Sequence, residues 1–60
     1  MTIDRMMRKT RKAIDAEMHR HGFFPENIIE NPTGYIVEYV GQFEAYLVVF
    51  DIKGRVTNVM

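Results

Sequence analysis

The chain has 60 residues, no cysteine and a formal net charge of zero. A domain this short buries only about 60% of the surface of its unfolded chain, so it is marginally stable without help. Because neither a disulfide nor a thiolate metal site can form, oligomerisation is the stabilising route that remains.

Charge is divided unevenly along the chain. Residues 1–21 hold six bases and three acids, whereas residues 22–60 hold two bases and five acids. No stretch is apolar for long enough to act as a signal peptide or a membrane span. The sequence therefore predicts a cytoplasmic protein with a basic N-terminal third and no membrane partner.

Residues 2–21 are predicted to form one amphipathic helix, with Thr2 as its N-cap and Gly22 just beyond its end. A helix of this length is roughly 30 Å long and can cross a small sheet. At 100° per residue, one apolar stripe contains Ile3, Met7, Thr10, Ile14, Met18 and His21.

Three runs rich in β-branched and aromatic residues follow, over 35–40, 43–50 and 55–60. A short edge strand is predicted over 27–30, joined to the next strand by a turn over 31–34. Gly41 is predicted to begin a two-residue hairpin loop that pairs Val40 with Phe43. The turn over 51–54, with a bulge, is predicted to place Phe50 opposite Val56 and Leu47 opposite Val59.

The predicted fold class is α+β: one N-terminal amphipathic helix packed on a three- to four-stranded antiparallel β-meander, as a single domain over 1–60. Both faces of the sheet are apolar, and a single helix cannot cover both. We expect the helix to cover the tyrosine-rich face, which Ile29 is predicted to extend, although Ala45 on the other face would also allow a close approach. The tyrosine-rich face carries Tyr35, Val37, Tyr39, Tyr46, Val48, Phe50 and Val56.

The face left open is predicted to be an interface, because large apolar patches on soluble proteins usually are. We expect a homodimer, with a heterologous protein partner as the other possibility. Glu38 either limits sheet stacking as an inward-pointing charge or pairs with a base of the partner. The predicted interface residues are Ile36, Glu38, Val40, Phe43, Leu47, Val49 and Val59.

The leading functional hypothesis is a small non-enzymatic interaction module, such as an inhibitor, an adaptor or a regulatory subunit. The alternative is a nucleic-acid-binding protein that uses the basic face of the helix. Ion pairs between residues three or four apart on the helix, such as Arg11 with Asp15, would neutralise part of the positive charge of this face. The bases predicted to contact phosphates are Arg5, Arg8, Lys9, Arg11 and Lys12.

Catalytic machinery is not visible in the sequence. The chain has no serine, no cysteine and no Gly-rich phosphate loop. Glu17 and His21 share a helix face, but His19 points elsewhere, and a zinc site needs at least three ligands. The sequence therefore predicts neither an enzyme nor a cofactor or metal site.

Overall fold

The computed structural model describes the backbone of residues 3–60 and the side chains of residues 5–60, so the predicted N-cap Thr2 and the side chain of Ile3 lie outside it. The four strands form one antiparallel sheet in the order β1-β2-β3-β4, which confirms the predicted α+β meander with an N-terminal helix. The elements are α1 (Ile3–Met6), α2 (Arg11–Arg20), β1 (Phe24–Asn31), β2 (Gly34–Val40), β3 (Ala45–Asp51) and β4 (Val56–Val59).

The predicted continuous helix over 2–21 is wrong, because the chain leaves the helical path between α1 and α2. Arg8 adopts a left-handed backbone with φ 65°. The Arg8 N–H donates to the carbonyl of Val56 at 2.9 Å, and the Val56 N–H donates to the carbonyl of Lys9 at 3.0 Å. Hydrogen bonds to the free edge of β4 thus replace helical ones, and Thr10 becomes the N-cap of α2.

Helix α2 covers the tyrosine-rich face of the sheet, as predicted. Ile14 and Met18 are fully buried against Val37, Val48 and Phe50. Met6 is also buried, whereas Met7, predicted to lie in the apolar stripe, is 37% exposed because the break turns it outward. We call the covered side of the sheet the inner face and the opposite side the outer face.

The hairpin between β2 and β3 has its register shifted by two residues from the prediction. Val40 pairs with Ala45 rather than with Phe43, and Gly41 pairs with Glu44 through a 2.8 Å hydrogen bond. The backbone of Gly41 does not have a positive φ, so a positive φ is not the reason for glycine at this position. Its missing side chain leaves room for the ring of Phe23, which would lie 2.6 Å from a Cβ at this position.

The pairing of β3 with β4 confirms one predicted contact and overturns another. Phe50 faces Val56, as predicted, after a turn in which Gly54 has φ 79°. A bulge then inserts Thr57 as an extra residue, so that Val59 lies opposite Val48 and not opposite Leu47. Val59 therefore belongs to the inner face, where it packs against the core.

Strand β1 confirms the predicted edge strand and extends it to eight residues. The turn pairs Asn31 with Gly34, so Ile28 faces Val37 and Ile29 faces Ile36. Ile29 was predicted to extend the tyrosine-rich face. The structure places it on the outer face instead, because adjacent residues of a strand point to opposite sides.

Candidate functional site

The outer face is an apolar surface of the sheet that the structure leaves uncovered. In the part of the chain that the structure describes, both helices contribute their buried side chains to the inner face, and no element packs over the outer one. The side chains that the cross-strand pairs bring together on this face include Asn27, Ile29, Ile36, Glu38, Val40, Ala45, Leu47, Val49 and Asn58, with Asp51 at its end.

Exposure varies across the outer face. Ile36, Val40, Leu47 and Val49 are half-buried, because neighbouring strands shield their sides while their tips remain uncovered. Ile29, on the edge strand, is 58% exposed. In most antiparallel sheets with one face open to water, the open face carries polar side chains. Because the outer face is apolar instead, it is well suited to contact with another protein.

Glu38 is the ionisable group at the centre of the outer face, whereas Asp51 lies at the end of β3 and its carboxylate accepts hydrogen bonds from the β3–β4 turn. It lies between Asn27 on β1 and Leu47 on β3. The Asn27 side-chain amide donates a 2.6 Å hydrogen bond to the Glu38 carboxylate. The carboxylate therefore has a fixed orientation and one donor of its own, which sequence reasoning did not identify.

Five of the seven predicted interface residues lie together on the outer face, namely Ile36, Glu38, Val40, Leu47 and Val49. Val59 does not, because the bulge at Thr57 rotates it to the inner face. Phe43 was predicted to start a strand but lies in the β2–β3 loop, where it is 91% exposed. Sequence reasoning missed Ile29, which the register of β1 adds to the face.

The two edges of the sheet differ in how they are protected. The Arg8 and Lys9 backbone groups cover the beginning of β4. Strand β1 is exposed along its whole length but carries Pro25, Glu26 and Glu30. Proline lacks an N–H, and edge charges oppose strand addition, so β1 has the features that limit pairing with another strand.

The predicted bases do not lie on one continuous helix, because Arg5 belongs to α1, Arg8 and Lys9 to the break, and Arg11 and Lys12 to the start of α2. Arg11 is half-buried, and its Nε lies 2.9 Å from the Asp15 carboxylate. Arg5 and Lys9 line a cavity of about 20 Å³ together with Glu17. Arg8 and Lys12 remain exposed at the start of α2.

A different group of bases forms where residues 8–11 meet the β3–β4 turn. The Arg11 N–H donates to the carbonyl of Gly54 at 3.1 Å, and the Arg55 guanidinium donates to the carbonyl of Arg8 at 3.2 Å. Lys53 and Arg55, which sequence reasoning did not include, thus lie beside the start of α2. We call Arg8, Lys12, Lys53 and Arg55 the basic cluster.

Tyr39, Asp15 and Arg11 form a polar network between α2 and the sheet. The Tyr39 hydroxyl donates a 2.6 Å hydrogen bond to the same Asp15 oxygen that Arg11 contacts. Burial and the bond to Asp15 raise the pKa of Tyr39, so the phenol stays protonated across the physiological range. This network anchors the helix and offers no base or nucleophile that is free to react.

The histidines are not assembled into a site. Glu17 pairs with Arg20 and lies 3.4 Å from His21, whereas His19 packs on the ring of Phe24 at a centroid distance of 5.1 Å. The side chains that the structure describes include no group of three or more potential metal ligands.

A cleft of about 270 Å³ lies at the other end of the molecule, between the end of α2 and the β2–β3 loop. It is lined by His21, Gly22, Phe23, Gly41, Gln42, Phe43 and Glu44. A specific ligand site buries most of its ligand, whereas the three polar side chains of this cleft, those of His21, Gln42 and Glu44, are all exposed.

Comparisons with protein-family models, with curated proteins and with solved structures gave no match. Over residues 3–60, neither helix combines the length and the apolar content that crossing a bilayer requires. The surfaces described above are therefore the observations on which a function can be based.

Proposed function

We propose that this protein is a small non-enzymatic interaction module that self-associates by stacking its outer sheet face on that of a second copy. The observation that supports this proposal is the one-sided cover of the sheet. Helix α2 covers the centre of the inner face, where Val37, Val48 and Phe50 are buried. Ile36, Leu47 and Val49 on the outer face have no cover within the described chain.

The size of the outer face is consistent with a modest dimer. The two longer dimensions of the molecule are 31 Å and 21 Å, a rectangle of about 650 Å². If the outer face spans this rectangle, two copies would bury about 1,300 Å², which is near the lower end of the range for stable, specific interfaces. We expect a twofold axis that joins identical surfaces.

Glu38 constrains how the two copies stack. A carboxylate buried without enough partners is costly, and Asn27 supplies a single hydrogen bond. The favourable arrangement places Glu38 at the rim, or near a donor of the second copy, with the aliphatic residues on β2 and β3 at the centre. This requirement selects one stacking geometry among those that the apolar residues alone would permit.

Pairing through the β1 edge is a less favourable way to form the dimer. An antiparallel pair centred on Ile28 would place Glu26 of one copy opposite Glu30 of the other, and like charges directly opposite destabilise a sheet. Pro25 also removes a backbone donor from this edge. Stacking avoids both penalties.

Two adjacent isoleucines provide a matched test of the stacking proposal. Ile29 is 58% exposed on the outer face, and Ile28 is 53% exposed with its side chain on the other face. Ile29→Lys should therefore weaken self-association by at least about tenfold, because it places a charge in the stacked interface. Ile28→Lys changes the charge and the β-propensity by the same amounts as Ile29→Lys does, but it should leave self-association unchanged.

Sedimentation velocity of the parent and both variants measures this difference, with circular dichroism to check that each variant is folded. Equal weakening by the two variants would indicate association through the edge of β1 and would contradict stacking. If the parent is monomeric, a heterologous partner for the same face becomes the better hypothesis, as for an inhibitor or an adaptor.

A further inference from the structure

We propose that the basic cluster binds the phosphate backbone of nucleic acid, at a site assembled from three separate segments of the chain. Arg8 belongs to the break between α1 and α2, Lys12 to the first turn of α2, and Lys53 and Arg55 to the β3–β4 turn. All four side chains are exposed. This binding does not depend on the proposed self-association, because the outer face contains none of these residues.

The backbone contacts that form the cluster also hold it in place. Thr10 bridges to Arg55 as in an antiparallel pair, and the 2.9 Å and 3.1 Å hydrogen bonds of Arg8 and Arg11 join the same two segments. Bases on segments that are held in fixed positions lose less conformational entropy on binding than bases on a mobile tail. The fixed backbone therefore favours contact with phosphates at one place on the surface.

The charge of the cluster is only partly neutralised by neighbouring acids. Among the side chains that the structure describes, the ion pairs involve Arg11, Arg20 and His21 and none of the four cluster bases. Asp51 lies in the same turn, and its carboxylate accepts hydrogen bonds from the backbone N–H groups of Lys53 and Arg55. Four bases and one acid leave a positive surface on a molecule whose total charge is zero.

Nucleic acid fits this surface better than an anionic membrane does. Stable binding at a membrane surface draws on apolar area in addition to charge. Helix α2 directs its large apolar side chains, Ile14 and Met18, into the core. Beside the cluster only two large apolar side chains of the described residues are exposed, Ile52 in the β3–β4 turn and Met7 before Arg8, and two separate side chains do not form the continuous apolar face that insertion draws on. Phosphate contacts need only the bases, and the start of a ten-residue helix adds a favourable dipole.

Salt dependence of binding tests the proposal. With four phosphate contacts on a DNA duplex, affinity should fall about 150-fold between about 50 mM and about 200 mM salt, a logarithmic slope of about −3.6. The variant Lys12→Gln with Lys53→Gln should reduce the slope to about −1.8, since each lost contact removes about one unit or slightly less. Fluorescence anisotropy, with a labelled duplex and a labelled single-stranded RNA, measures the slope for the parent protein and the slope for the double variant.

Arg20→Gln is the matched control, because Arg20 is an exposed base at the opposite end of α2. It should leave the slope unchanged. The proposal is overturned if neither nucleic acid binds at about 50 mM salt, where phosphate contacts are strongest. It is equally overturned if Arg20→Gln reduces the slope as much as the double variant, or if phosphatidylserine vesicles bind the protein and nucleic acids do not.

Discussion

Gly34→Ala should lower the free energy of unfolding by at least about 2–3 kcal/mol, which is most of what a 60-residue domain possesses. Gly34 has φ 151°, a region that favours glycine. A Cβ at this position would also lie 2.8 Å and 2.9 Å from backbone atoms of Asp51 and closer still to the Phe50 carbonyl oxygen. Because the neighbouring atoms belong to the backbone of β3, relief requires the β2–β3 pairing to open. Urea denaturation followed by circular dichroism measures the loss.

Gly22→Ala separates the effect of crowding from that of the backbone angle. Gly22 also has a positive φ, 83°, but nothing lies within 4 Å of a Cβ built there. This variant should therefore lose only about 1 kcal/mol, the cost of a left-handed alanine. Equal losses in the two variants would show that the close approach of Gly34 to β3 is wrong.

Ile14→Ala should cost about 2–5 kcal/mol, because it removes buried methyl groups and leaves a cavity between α2 and the sheet. Ile14 is fully buried. Since a loss of this size can unfold the domain outright, Ile14→Val provides a milder variant with an expected cost of about 0.5–1.5 kcal/mol. Thermal melts at one fixed protein concentration compare the variants, because self-association would make the midpoint depend on concentration.

Met7→Ala distinguishes the broken helix from the continuous one. In a continuous helix Met7 would share the apolar stripe of Ile14, and its truncation would be similarly costly. In the structure Met7 is 37% exposed, so its truncation should cost less than about 1 kcal/mol. A loss close to that of Ile14→Ala would contradict the break between α1 and α2.

The sheet and its two faces could be predicted from sequence because strand patterns have a period of two. The β2–β3 register was wrong by two residues, an even number, so Ile36 and Leu47 stayed on the predicted face. The bulge at Thr57 adds one residue, an odd number, so Val59 changed sides. Bulges depend on tertiary pairing, and no local pattern in 55–60 indicates this one.

The break in the helix and the basic cluster could not be predicted for a related reason. Helical periodicity continues through residues 7–10, and the hydrogen bonds that end α1 come from Val56, which is distant in sequence. Thr10 offered one local signal, because threonine is a preferred N-cap. Lys53 and Arg55 become neighbours of the helix only through that break, so a helical wheel of residues 2–21 could not include them.

Sedimentation equilibrium of the parent protein, from about 10 µM to about 500 µM, tests the stacked dimer most directly, because a dimer becomes populated as the protein concentration approaches its dissociation constant. The stacked dimer predicts an apparent mass that rises with concentration from the chain mass of 7.1 kDa towards twice that value and then levels off. A mass that stays at 7.1 kDa over the whole range would contradict self-association through the outer face.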